Sequence, residues 1–548
     1  MQSIHFPIGG PQIMLPQFRL HSKFFTTLAV VATAVTLLVP QGAKAQVTAF
    51  KQAVAETASR DSALSAFYKA VKFEGIWTGN DDRARRQALM AALATASDHG
   101  LPAGRYRADE LMAAMKAAKT PKERGKLEVE MSRVFLQFAR DLQTGALTPS
   151  KIDSGIVRKI PYRDRASYLT TLVKSNPSRF FRALAPKTNE YARLMKEKLR
   201  LERELASGGW GQKVPAKSLK PGQSGNSVVI LRNRLMAMGY MDRSSTKTYD
   251  GTVQKAVQQF QVDHGLNPDG VAGAGTMVEI NQSMETRLQS VIVAMERERW
   301  LNIPRGGRHV LVNLTDFHAQ IVDNDVTTFR TRSVIGHPDL DRRSPEFSDV
   351  MEFLVINPTW NVPRSIAVNE YLPMMKRNAN AAGHLKLYDA RGREVSRSNI
   401  NFGQYNEKTF PFNIKQPASR RNALGLVKFM FPNRYNIYLH DTPAKALFSR
   451  ETRAFSHGCI RLHQPFEFAY ALLARQESDP EAFFQSKLKT GQETVVQLEQ
   501  HVPVHLIYRT AFTQAKGRTN YRRDVYGRDA KIWRALSNAG VALRAVQG

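Results

Sequence analysis

Cysteine is almost absent from this chain: Cys459 is the only one in 548 residues. An internal disulfide is therefore excluded, and the fold must rest on packing alone. Long apolar runs are scarce as well. Phe24 to Val39, broken only by threonines, is 16 residues long, short of the ~20 that a spanning helix needs. Acidic residues are few, 48 Asp and Glu against 79 Lys and Arg, which leaves a formal net charge of +31. That excess favours anionic partners but speaks to non-specific attraction and solubility rather than to a fold. No HExxH, no CxxC and no His/Asp cluster at ligand spacing occurs, so no metal is expected. A glycine-rich phosphate loop and a Gly-x-Ser-x-Gly elbow are also missing, and no cofactor is expected.

What is present begins with an address. Lys23 precedes the apolar run, and Pro40 then Ala43-Lys44-Ala45 follow it, an A-x-A pattern ahead of Gln46. Residues 1–45 thus read as a secretory leader, with an uncleaved inner-membrane anchor as the alternative. Export removes the chain from DNA, so the positive charge is not assigned to nucleic acid. An unpaired cysteine in an exported chain is flagged as a reactive thiol.

The chain divides by pattern. Residues 46–215 carry apolar positions three and four apart, as in Arg83 to Leu93 and Arg133 to Phe138, and read as a helical scaffold. Ser207-Gly208-Gly209-Trp210-Gly211 to Pro215 is a linker. Residues 219–282 form a compact unit of three short helices pinned by glycines, near the lower size limit for independent folding. Residues 283–305 read as a helix that returns to the scaffold, which makes 219–282 an insertion. From 306 to 510 the period becomes two, with short strands such as His309 to Leu314, Val350 to Ile356 and Tyr435 to His440. This predicts a mainly-β, sandwich-like domain. Residues 364–424, polar and without clear period, read as a capping insertion or lid. Residues 511–548 form a tail ending in a helical pattern. The fold class is multidomain α+β.

Chemistry concentrates at Ser456-His457-Gly458-Cys459-Ile460-Arg461-Leu462, with a second histidine upstream in Tyr438-Leu439-His440-Asp441-Thr442-Pro443. A thiol attacks as thiolate, and its ordinary pKa near ~8.5 leaves most of it idle at neutral pH. An adjacent imidazole can take its proton. Either His440 or His457 could serve, since His457 lies two residues from Cys459. Attack on an amide carbonyl also needs donors for the oxyanion; the Gly458 and Cys459 N–H groups and the Tyr438 hydroxyl are candidates. Arg461 could grip a substrate carboxylate or brace its own loop. Tyr438 and Trp360 also admit the plain reading of packed aromatics. His501 and His505 alternate along a strand and read as structural or surface residues.

These two motifs resemble the signature of L,D-transpeptidases with a YkuD-type catalytic domain, and more narrowly the large multidomain Gram-negative YcbB-like subfamily, in which Asp follows the base as Asp441 does here. Residues 219–282 resemble a three-helix peptidoglycan-binding domain. The resemblance implies that Cys459 is the nucleophile, His440 the base, His457 and Tyr438 supporting groups, and that Trp360 and Asn361 line the donor cleft. It also implies a periplasmic enzyme acting on peptidoglycan stem peptides and glycan. Cys459 would attack the third residue of a tetrapeptide stem, release D-Ala, and pass the thioester to an amine to give a 3-3 cross-link; carbapenems should acylate the same thiol. The alternatives are a hydrolase of the same fold that uses water as acceptor, and a catalytically inactive wall-binding scaffold.

Overall fold

A computed structural model describes residues 41–544. Most of the leader expected over 1–45 lies outside the described residues; its last five residues open the helix Gln41–Ala58. No helix among the described residues is long and apolar enough to cross a membrane. The body described below runs from Ala49.

The N-terminal part is a helical layer centred on Pro121–Thr144. Thr120 caps this helix and Glu123 reaches back to the Thr120 amide, while Pro121 occupies the first turn where its missing N–H does no harm. Phe135 and Phe138 face inward and meet Trp77, Tyr106 and Phe181. Glu128, wholly buried, accepts the Ile76, Trp77 and Thr78 amides at 2.7–3.2 Å. Its carboxyl oxygens therefore tie the 76–78 loop to the helix.

The helix Met284–Trp300 crosses the middle and is buried on almost every face. It packs against Asn189–Ala206 and Arg528–Asn538. Its last turn carries Glu296, Arg297, Glu298 and Arg299, none of them solvated. Arg299 pairs with Glu296 at 2.7 Å, Glu298 with Arg305 at 2.8 Å, and Arg297 with both Glu346 at 2.5 Å and Asp529 at 2.7 Å. Buried ions persist only when paired in this way. Residues 511–544 belong to this core and are no loose tail: Arg528 is fully buried against Glu346 and Asp153.

The small unit holds its own core around Leu231, Val257, Phe260 and Ile280. It docks through Arg523 to Glu279 at 2.9 Å and through His264 stacked on Tyr521 at 5.6 Å. The Asn267 amide donates to Glu451 of the β domain at 3.1 Å.

The β domain departs from a sandwich. In spatial order its strands are Ala454–Ser456, Val326–Gly336, Ile460–Leu462, Leu439–His440, Val427–Met430, Phe347–Ile356, Thr494–Ile507, Arg308–Asn313 and His318–Asp323, and the last pairs again with Val326–Gly336. The sheet therefore closes on itself. Two long strands make this possible. Val326–Gly336 pairs with His318–Asp323 through its first part and with Ile460–Leu462 through its last. Thr494–Ile507 slips register between Gln497 and Val502, which bends it. Phe468 from Pro465–Leu473 plugs the core against Phe429 at 4.8 Å.

The capping insertion is a folded subdomain. Trp360–Asn361, Asn413–Gln416, Lys386–Tyr388 and Glu394–Val395 make a four-stranded sheet over a core that includes Leu372, Met375, Phe402 and Phe410. Strands of two to four residues leave no readable alternation, which is why the segment looked structureless.

Candidate active site

Leu439–His440 and Ile460–Leu462 are parallel neighbours, with Leu439 opposite Ile460 and His440 opposite Arg461. In this register Tyr438 stands opposite Cys459. Because side chains alternate along a strand, Tyr438, His440, Cys459 and Arg461 all lie on one face. The closed sheet thus brings both motifs together.

Cys459 is half-buried. Its Sγ lies 3.5 Å from the Asn436 carbonyl, and the Tyr438 N–H and phenol both face the sulfur. Burial pushes the thiol up to about 11, while the two Tyr438 donors and the Arg461 guanidinium pull the other way. His440 is buried, and Nδ1–H donates to the Asp441 carbonyl at 2.5 Å. Burial, then Arg461, push the ring down to about 3, while contacts with the Asp441 and Leu424 backbone pull the other way, so it rests neutral. Tyr438 touches the sulfur, and its ring lies 5.6 Å from that of His440. The immediate partner of the thiol is therefore Tyr438, with His440 one step further along the sheet. Burial and the neighbouring sulfur hold the phenol well above its ordinary range, so it stays a donor.

Asp441 fixes the end of the histidine strand. Its carboxylate accepts the Thr442 amide at 2.7 Å and the Leu426 amide at 2.9 Å and pairs with Lys445 at 2.7 Å. Gly425, at φ +62°, passes so close to that carboxylate that a Cβ there would collide with it.

The turn before the thiol is built by serines. Ser456 Oγ donates to the Cys459 carbonyl at 2.5 Å and accepts the Gly458 N–H at 3.1 Å, while Ser344 Oγ donates to the Gly458 carbonyl at 2.6 Å. This removes Gly458 N–H from the oxyanion donors expected above, because the turn folds Ser456 back onto it. Gly458 sits at φ +109°, a region closed to side chains with a Cβ. The chain consequently turns there, and His457 does not share the Cys459 face as an extended backbone would require. Its Nε2 instead meets Glu370 of the cap at 2.5 Å.

Arg461 is half-buried, and its Nε has no partner among the described residues. Trp360 is buried in the cap core, with its indole N–H toward the Tyr438 hydroxyl. Asn361, next in the strand, is exposed and pairs through its backbone with Lys415. His505 lies away from this face, held by Ser348 at 2.8 Å. Among the described residues no cluster of His, Cys, Asp and Glu is suited to a metal.

Residues 307–496 match the model of the L,D-transpeptidase catalytic domain. The chain carries a YkuD-type L,D-transpeptidase catalytic domain. Ahead of that L,D-transpeptidase domain, residues 62–197 match a model described as "Scaffold domain" and residues 224–280 one described as "Putative peptidoglycan binding domain". A curated protein of Haemophilus influenzae, named "Putative L,D-transpeptidase", is 30% identical over 242 residues, which cover 44% of this chain and 48% of the relative. The match thus spans about half the length of that relative. A crystal structure of an L,D-transpeptidase from Xylanimonas cellulosilytica aligns over 54% of this chain and all of its own, at 14% identity and a TM-score of 0.16.

Sequence reasoning missed Glu370, Ser344 and Arg342. Glu370 is 87 residues from His457 and Ser344 is 114 from Gly458; no local pattern joins them. Ser456, the first residue of the motif, was visible but its double role was not.

Proposed function

We propose that this chain is an exported cell-wall L,D-transpeptidase that acts through a Cys459 thioester. The observation that supports it is the shared face of the two parallel strands, where a thiol, a phenol, a neutral imidazole and a guanidinium converge. In this reading the neutral His440 is the base that receives the thiol proton, and Sγ attacks the carbonyl of the third stem residue. The oxyanion is met by the Cys459 N–H, which has no partner among the described residues, and by the Tyr438 hydroxyl. The tetrahedral intermediate collapses with release of D-Ala, which leaves carrying the proton held by His440. An amine of a second stem then attacks the thioester, gives its proton to His440, and displaces the thiolate, which regains the proton from His440 as the 3-3 cross-link forms. Arg461, which pairs with no carboxylate among the described residues, suits a carboxylate of the stem. The peptidoglycan-binding domain and the basic surface suit an acidic wall polymer, in the periplasm.

The test is to incubate the enzyme with purified tetrapeptide stems and weigh the products. Loss of D-Ala with dimer formation, abolished in Cys459→Ala, is expected; tripeptide without dimer would replace transfer by hydrolysis. In parallel, a carbapenem should add its mass to the wild type and not to Cys459→Ala. Equal stem turnover by Cys459→Ala would overturn the thioester.

A further inference from the structure

We propose that Glu370 is a positioning residue that clasps the cap to the nucleophile turn, so that access to Cys459 is set by one carboxylate contact. Glu370 lies in the π-helical turn Ala367–Tyr371 of the cap. Such a turn inserts an extra residue and re-aims side chains, and it occurs often at functional sites. Here it presents the carboxylate to two groups outside the cap: His457 Nε2 at 2.5 Å and Arg342 at 3.3 Å. Both belong to segments that hold the thiol in place. His457 is two residues before Cys459, and Arg342 is two before Ser344, whose hydroxyl fixes the Gly458 carbonyl.

The cap reaches the sulfur from its other side as well. Tyr371, next to Glu370, packs its ring 6.3 Å from Trp360, and Trp360 points its N–H at the Tyr438 hydroxyl, which faces the sulfur. The cap therefore touches the nucleophile by two routes. The Trp360 route is built of packed aromatics, whereas the Glu370 route is a polar contact with side chains about one-third exposed. A partly solvated contact opens more readily than a buried one. Opening it would lift one edge of the cap while the aromatic edge holds, which is hinge-like access for a bulky stem.

This inference rests on the acyl-transfer reading only for what enters, and the test separates the two. Iodoacetamide alkylation of Cys459 requires a thiol and no turnover. Glu370→Ala should be alkylated about tenfold faster than wild type, in line with the loss of a charge-assisted hydrogen bond. With tetrapeptide stem as donor, the same variant should raise KM more than it lowers kcat. The exchange Glu370→His with His457→Glu should restore slow alkylation, which a merely structural role for either residue would not do. Glu370→Gln, equal in size, gives the same comparison if the alanine variant is unstable. Alkylation of Glu370→Ala and Glu370→Gln at the wild-type rate would overturn the clasp, whether or not the wild type turns over stem. Absence of turnover with fast alkylation of the variants would instead overturn the acyl-transfer reading and leave the clasp standing.

Discussion

At the scale of single residues the thiol and the imidazole both rest uncharged. Burial lifts the thiol to about 11 and drops His440 to about 3, so the thiolate–imidazolium pair is not the resting state. Alkylation of Cys459 should therefore climb roughly tenfold per pH unit across pH 7 to 10, with no plateau near neutrality; a plateau near pH 7 would show an ion pair already formed. Tyr438→Phe removes one of the two donors that stabilise the thiolate and should slow alkylation at pH 8, measured by the same assay, without abolishing it. Much of this was legible. The motif and the upstream histidine named the residues that the parallel strands bring onto one face. What the motif could not carry was the turn at Gly458: an extended reading puts His457 beside Cys459, and a left-handed glycine sends it to the cap.

At the scale of elements, the close approach of Gly425 to Asp441 ties the start of one strand to the end of another. Gly425→Ala combines a collision with a φ that alanine tolerates poorly. It should lower stability by about 2 kcal/mol or more, read as a drop in the urea midpoint, and slow alkylation little if the histidine strand holds. Periodicity revealed the long helices, because Pro121–Thr144 and Met284–Trp300 span several turns. It failed for the cap, whose strands are too short to alternate, and for the closed sheet, whose closure depends on partners far apart in sequence. Edge pairing of His318–Asp323 with Val326–Gly336 is a simple hairpin, yet nothing local says that the far edge of the same strand meets Ile460–Leu462.

At the scale of the molecule, several histidines rest neutral: His99 and His505 are pushed down to about 4, His440 to about 3, and His264 well below its ordinary value, in each case first by loss of solvent. In the unfolded chain these rings protonate near 6.5, so as pH falls the unfolded state binds protons that the folded state refuses. Their contribution is complete above pH 6.5 and is lost progressively below it. Urea midpoints should fall between pH 6.5 and 5, ahead of the carboxylates, and His440→Gln should make that slope shallower. The +31 charge, which told nothing of the fold, adds repulsion as pH drops. The order in which the chain is made also matters. Arg528 donates to the Ser344 carbonyl at 3.1 Å, the Tyr526 hydroxyl donates to the Gly336 carbonyl at 2.6 Å, and Ser344 in turn holds Gly458. A ribosome finishes residues 526 and 528 well after it finishes residue 459, so the sulfur is synthesised long before its brace exists. A nascent or prematurely terminated product would lack this brace and carry a slack, unaimed thiol.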